Sequence, residues 1–522
     1  MKGLYLNVPR AEEEARAIDA ALGAPSAIAA ARHGTHRIVV DHHPRDWPEG
    51  PIWSSEDGRF TAAASGWLLF EGRIGDLRGI ARAYRSAESR AERVAVLRGI
   101  TAGAFLLLLL DGERVVFVTD PFGLHPHYRN RRSAVARIAP SAALVREEEP
   151  EVAALAIALD RQDHLFGNRT VYESIHRLEP GAIIEGETTH PWFDYGPRED
   201  APDPLEAFRD SLKRFAGRGR ILPITGGLDS RLMLACGDFE YGYTFGPPDT
   251  GDRPIARRFR DRFTEYDGFS LLDLQHPRDS DLIRERIFGG ICARPFLELI
   301  PVFRRVAERW GSGCWFFDGF GGDVLQRGLY LTSGGVDGGL AKLLPFLTTA
   351  RFDPIRLLRK RYPGLGGESA DLLVDTYREK SAAWSLDEPR KLVLFELLHG
   401  RGARYVINGG TILSGQFFST AQPFLIPSVF HSFWREDPFD ALSYRLLPEL
   451  WRRVDPALGE VPTYSGFRPT WNHHRARVTM LVVKGLGKAG LSSRSVGYER
   501  EVARIRERAR VARRAIGGGS NR

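Results

Sequence analysis

Gly226, Gly227, Asp229 and Ser230 stand together in the stretch PITGGLDSRLMLA, residues 223–235. Adjacent glycines let the backbone approach a ligand closely, and Thr225, Asp229 and Ser230 add two hydroxyls and a carboxylate. Apolar Ile221, Leu222 and Ile224 precede them, and Leu232, Met233, Leu234 and Ala235 follow at a spacing that a helix buries. The pattern predicts strand, tight loop, helix. N–H groups and the positive dipole end at such a loop favour a phosphate or another anion. The plainer alternative is a strand-to-helix turn with Thr225 or Asp229 as its cap. The GxxxxGKS/T pattern is absent, so the loop is not of the Walker type.

Two more apolar runs end in similar residues: YGYTF leads into GPPDTGD, and GCWFF leads into DGFGGD. Ligands of open α/β sheets sit beyond the carboxyl ends of the strands. Glycines there admit phosphates, and Asp229 and Asp323 are the hard oxygen ligands that magnesium takes. From Arg220 onward short apolar runs alternate with longer helical patterns, which predicts a parallel sheet with helices on its faces, and residues 370–455 read as mostly helical. The first 195 residues read as β-rich instead: RIVVDHH, GWLLFEGRI and GAIIEG are short apolar runs bounded by turn residues. AFLLLLL, residues 104–110, is too short for a membrane helix, which takes about 20 residues, and DGERVVFV after it predicts a buried hairpin turning at Asp111-Gly112. A helical stretch, residues 77–100, lies between these runs, and the acidic, proline-containing YGPREDAPDPLEAF reads as a linker into the next part.

A length of 522 residues predicts two or more domains, at roughly 100–200 residues each. The divisions are 1–195, 196–490, and a basic C-terminal helix or tail over 491–522. The formal charge of +7 is mild for this size and does not call for nucleic acid. Cys236, Cys292 and Cys314 are too far apart for a disulfide framework or a zinc pattern, and MKGLYLNVPRAEEEARA does not read as a secretory signal. These features predict a cytoplasmic protein without a membrane span. Seven arginines between Arg500 and Arg514 make the tail basic, read either as a solvated helix face or as a docking surface for an acidic partner. His42-His43 and His473-His474 are adjacent pairs without a zinc motif, and His125 and His127, flanking Pro126, read as structural. Arg231 faces either a phosphate, a substrate carboxylate or solvent; Asp249 and Asp252 cap their loop or reach the nucleotide.

TGGLDS resembles the pyrophosphate-binding loop, usually SGGLDS, of asparagine synthetases and of the related β-lactam synthetases and lasso-peptide cyclases. DGFGGDVLQRG resembles their second acidic loop, GxGxDExxxGY. AGAFLLLLLDGERVVFVTDPFGLHPHYR and GNRTVYESIHRLEPGAIIEG are similar to segments of the glutaminase-type domain that precedes it. The likeness runs over roughly residues 50–450. It implies an N-terminal Ntn-hydrolase-like αββα domain and a C-terminal α/β pyrophosphate-loop domain, of the adenine nucleotide alpha hydrolase-like kind. The second would use ATP and Mg2+ to turn a carboxylate into an acyl-adenylate, which an amine attacks to form an amide. Carried over, Thr225, Gly226, Gly227 and Ser230 would hold pyrophosphate, Asp229 and Asp323 would bind magnesium, and Gly246, Asp318 and Gly319 would lie along the adenosine.

The departures are chemical. The glutaminase nucleophile is a cysteine exposed once methionine is removed, and Lys2 follows Met1 here, so glutamine hydrolysis is not expected. Phe320 stands where asparagine synthetases carry glutamate and β-lactam synthetases tyrosine, so that general base is lost. Val324 replaces the glutamate after the loop aspartate. Ser443 falls at the family's lysine, with Arg445 as its substitute in a catalytic role. The expectation is an AMP-forming amide ligase that joins a small-molecule or peptide carboxylate to an organic amine. It stands nearer the asparagine-synthetase-like proteins that amidate cell-surface sugars or other small metabolites. Lasso- or β-lactam-type cyclisation is the second expectation, and a catalytically degenerate scaffold the third.

Overall fold

The computed structural model describes residues 1–146, 164–249, 251–275, 280–292, 296–333, 341, 344, 351–488 and 501–507. Thirteen strands build two antiparallel sheets. They are β1 (Gly3–Leu6), β2 (Ile28–His33), β3 (His36–Asp41), β4 (Ile52–Ser54), β5 (Phe60–Phe70), β6 (Arg73–Ile74), β7 (Ile100–Asp111), β8 (Arg114–Thr119), β9 (Tyr128–Asn130), β10 (Arg137–Ala139), β11 (Ile175–Arg177), β12 (Ala182–Glu185) and β13 (Thr188–Pro191). One sheet runs β11-β9-β10-β1-β3-β2, the other β13-β12-β8-β7-β5-β4 with β6 on β5.

Period-2 alternation decides how these sheets stack. Leu106, Leu108 and Leu110 of β7 meet Leu4, Leu6, Ile38 and Val40 of the other sheet in a shared core. Phe105, Leu107 and Leu109 point the opposite way, onto helices α2 (Leu77–Ser86) and α3 (Arg90–Arg98). The apolar run AFLLLLL is therefore a strand covered on both faces. Its hairpin turns where expected: Asp111 pairs with Arg114, and Gly112 has φ 58°. On the far side of the first sheet, Ala11, Ala15, Ile18 and Leu22 form the buried stripe of α1 (Ala11–Leu22), packed with Tyr5 and Val39. The layers run helix, sheet, sheet, helices.

A third sheet is wholly parallel: β14 (Arg220–Pro223), β15 (Tyr241–Phe245), β16 (Glu265–Phe269), β17 (Trp315–Phe317) and β18 (Ser419–Ala421). Its order is β16-β15-β14-β17-β18. Two of these strands escape the sequence reading. β16 is EYDGF, with Glu265 and Asp267 facing Arg309 and Arg305 instead of a core. β18 is three residues long inside the stretch read as mostly helical, between the helix Ile412–Phe417 and the helix Pro427–Trp434. The parallel sheet joins the antiparallel ones through buried polar contacts. Trp67 Nε1 donates to the Thr420 carbonyl at 2.7 Å, and Arg218 donates to Asp46 at 2.8 Å while lying over Trp315. No helix among the described residues is long and apolar enough to cross a membrane.

His127 shows how tightly the first sheet is specified. Its Nδ1–H donates to the His125 carbonyl at 3.1 Å, and its Nε2 accepts the Leu4 N–H at 2.9 Å. Only the neutral ring does both. Burial pulls its pKa down to about 4. The unfolded chain takes up this proton near pH 6.5 and the folded chain only near 4, so the stabilisation is present above the unfolded value and is lost as pH falls through that window. The stability advantage of wild type over His127→Gln, measured by chemical denaturation, is expected to shrink by about 2 kcal/mol between about pH 7.5 and pH 5. A constant difference over that range contradicts the neutral-ring assignment.

Candidate functional site

The loop after β14 turns into the helix Asp229–Cys236. Three of its amides meet side-chain oxygens. Thr225 N–H donates to Ser230 Oγ at 3.1 Å, Gly227 N–H to Thr225 Oγ1 at 3.1 Å, and Gly226 N–H to Asp252 Oδ1 at 2.9 Å. The last acceptor is a carboxylate oxygen, so the loop already holds an oxyanion. A Cβ on Gly226 would stand 3.0 Å from that oxygen and 2.9 Å from Ile255 Cδ1, so any larger residue would push on both side chains. The helix is capped by neither Thr225 nor Asp229. Its N-cap is Leu228, whose side chain makes no capping hydrogen bond.

DGFGGD follows β17, beside β14, and reaches the same place. A Cβ on Gly319 would lie 3.3 Å from Asp229 Cβ, and one on Gly322 would lie 2.5 Å from Asp229 Oδ1. Asp229 Oδ1 accepts from Gln326 Nε2 at 2.9 Å, and Oδ2 pairs with Arg327 at 3.1 Å. Arg327 also pairs with Asp323, four residues before it on the helix Gly322–Arg327. The two aspartates expected to hold magnesium thus meet on one guanidinium. Burial pushes the Asp229 carboxyl up, with Arg327 pulling against it. Burial also opposes the charge of Arg327, but Asp229 and the Tyr464 and Tyr444 phenols outweigh it and raise its pKa. Two carboxylates from different strand ends are what magnesium takes alongside substrate phosphates. The donor set fits that ion, in competition with Arg327. Among the described residues no group of three or more His, Cys, Asp or Glu could hold a metal by itself.

The other expected residues divide. Gly246 follows β15 with φ 124°, donating to the Phe269 carbonyl and accepting from Arg253. Asp318 is a brace: its Oδ1 accepts the Phe320 N–H at 3.0 Å and its Oδ2 the Thr411 hydroxyl at 2.9 Å. Thr411 ends a π-helical segment, Gly402–Thr411, that the sequence reading took as ordinary helix. Arg445 is not brought to the site. Its side chain is 60% exposed and pairs with Asp440 on the surface. Arg231 faces neither phosphate nor solvent. Wholly buried, it donates to the carbonyls of Gly226, Leu458, Val461 and Pro462 and lies over Phe259. The loop is thus tied to the distant segment 458–462 by one side chain.

Arg327, Gln326, Thr411 and Tyr464 are the site residues that the sequence reading missed. Asp323 and Arg327 are spaced as facing residues of one helix, which is the signal that could have found the guanidinium. Of the histidine pairs, His43 donates to the Gly415 carbonyl, while His473 and His474 open the helix His473–Lys488. Asp249 is followed by a residue outside the description. Most of the basic tail, 491–500 and 508–522, also lies outside the described residues. Its described part docks on the body: Glu501 accepts from Ser270 and Leu271, and Arg506 pairs with Glu298.

Lys2 occupies the second place where chemistry was sought. Its ammonium lies between Asp19 at 3.0 Å and Asp41 at 2.6 Å, all three buried. Burial pushes Asp19 up to about 6, although the α-amino group and Lys2 pull it down.

No family model and no curated protein matches the chain. Among solved structures, one described as the allosteric regulatory enzyme of purine biosynthesis is 11% identical with a TM-score of 0.19, over 42% of this chain and 62% of that one. Another, glutamine phosphoribosylpyrophosphate amidotransferase from B. subtilis complexed with ADP and GMP, is 13% identical with a TM-score of 0.22, over 56% and 63%. The chain spans less than two thirds of the length of either, and likeness at these scores carries no functional statement.

The buried Lys2 cluster makes its own prediction. Lys2→Met removes one of the two cations that pair with the buried carboxylates, leaving the Met1 α-amino group, and is expected to cost about 3 kcal/mol in chemical denaturation at neutral pH. A loss of about 1 kcal/mol or less would place the pair in the class of solvent-screened contacts.

Proposed function

We propose that the chain is an ATP-dependent, AMP-forming amide ligase that adenylates a carboxylate and passes the acyl group to an organic amine, without glutaminase activity. One observation carries the reading: the glycine loop and the acidic loop converge at the strand ends, with Asp229 and Asp323 meeting on a single cation. The uncapped helix start and the oxyanion already held by Gly226 support a phosphate at that loop.

In this reading Thr225, Gly226, Gly227 and Ser230 bind the β- and γ-phosphates of ATP, which leave as pyrophosphate. The adenosine runs along Gly246 and the Asp318–Gly319 backbone, because both Asp318 carboxylate oxygens are occupied by Thr411 and Phe320. Asp229 and Asp323 would hold magnesium, which supplies neutralising charge to the departing pyrophosphate. Phe320 is half-buried and has no titratable proton, so the amine has to arrive neutral. Lys2 supports the lack of glutaminase chemistry, because an ammonium tied to two carboxylates is no nucleophile.

Pyrophosphate release by the full chain, measured over a broad panel of carboxylates and amines, is expected to depend on both substrates. Asp229→Asn and Asp323→Asn are each expected to lower it by about 100-fold or more with the fold intact by thermal melting. Glutamine should release no glutamate above a heat-killed control. For an accepted amine, log kcat/KM should rise with pH up to the amine's own pKa. No pyrophosphate from wild type across the panel contradicts the ligase reading and favours a scaffold.

A further inference from the structure

Between the glycine loop and the helix Gly322–Arg327 lies a cavity of about 140 Å³, lined by Gly227, Asp323, Arg327, Tyr444, Tyr464 and Ser465 among others. It has the size of a phosphate group or two, not of a whole nucleotide. Arg327 is the only cation among the described residues that line it. A guanidinium carries five N–H donors. Arg327 uses the same terminal nitrogen on Asp229 and Asp323, its side chain also hydrogen-bonds the Tyr464 phenol, and its buried Nε has no partner among the described residues. The carboxylates alone would repel a phosphate, and a cation has to lie between the two kinds of anion. Arg327 holds the oxygens that a metal would need, and it does so from inside the chain.

We propose that Arg327 is a resident cation of the phosphate site: anchored by Asp229 and Asp323, it binds pyrophosphate in this cavity without a divalent metal. The proposal rests on the reading of the loop as phosphate-binding. Arginine suits the role because its planar fork meets two phosphate oxygens at once and its charge persists at any working pH. Magnesium then adds to phosphate affinity instead of creating it.

Calorimetric titration of inorganic pyrophosphate into the full chain, in EDTA and separately in magnesium, tests this. Wild type is expected to bind in EDTA. Arg327→Gln should weaken that binding at least about tenfold, and Arg327→Lys, a point charge without the fork, by an intermediate factor. Asp323→Asn should tighten binding in EDTA, because it removes an anion and frees the guanidinium, whereas a site that relies on metal alone would gain nothing from it. The proposal is overturned by absence of wild-type binding in EDTA, by an Arg327→Gln affinity equal to wild type, or by weaker binding of Asp323→Asn in EDTA. Should Arg327→Gln fail to fold, Arg327→Lys and Asp323→Asn, which keep a cation in place, decide the matter. Binding of magnesium pyrophosphate and magnesium ATP that EDTA abolishes would remove the role of Arg327 and leave the phosphate site standing. Absence of binding in both buffers would remove the site itself.

Discussion

The order of the parallel sheet reverses at one place, between β14 and β17, and the candidate site exists because of that reversal. The chain leaving β14 goes on to β15 and β16 on one side, and the chain leaving β17 returns as β18 on the other. Neither connection covers the gap between them at the carboxyl ends. Two loops from distant parts of the sequence therefore end facing each other. Their glycines set how closely: Gly319 and Gly322 admit the Asp229 side chain at distances that a Cβ would block. Asp229 and Asp323 take their positions from this crevice.

Inside it, two buried arginines follow their loops and serve different ends. Arg231 spends its donors on backbone carbonyls, and burial brings its pKa down to about 10, which still leaves it charged at neutral pH. It fixes the loop against the 458–462 segment and has no charge partner to exchange. Arg327 spends its charge on two carboxylates that an ion or a phosphate can compete for. Partner chemistry, not depth, separates a brace from a ligand.

Much of this was legible in the residues. The β7–β8 hairpin, the helical stretch at 77–100 and the strand–loop–helix at 220–236 follow from periodicity and turn chemistry, because each is specified by neighbours in sequence, whereas the α1 stripe went unread. What escaped was set by distant partners. β16 has no apolar run because its carboxylates answer Arg305 and Arg309, and β18 is a three-residue strand made by its neighbour β17. Thr411 enters the site only because a π-helical segment brings it under Asp318. Arg445 stands two residues after Ser443, but Tyr444 between them adopts φ 63°, and the Arg445 side chain runs out to Asp440. The cation of the site comes from Arg327, whose spacing to Asp323 was visible while its contact with Asp229, across two strands, was not.

Lys2 shows why a missing nucleophile is more than one missing atom. Asp19 and Asp41 are buried acids whose charge is tolerated because two cations, the Lys2 ammonium and the Met1 α-amino group, lie against them. A cysteine in place of Lys2 would put a thiol beside two carboxylates and remove one of the two cations that balance them. Like charge and burial both raise a thiol's pKa, so the thiolate that glutamine hydrolysis needs would be disfavoured there. The pocket is built around a positive charge. The antiparallel half of the chain therefore keeps its layers and its polar seam to the parallel sheet, through Trp67 and Arg218, while the chemistry of its Lys2 pocket is that of a closed ion cluster.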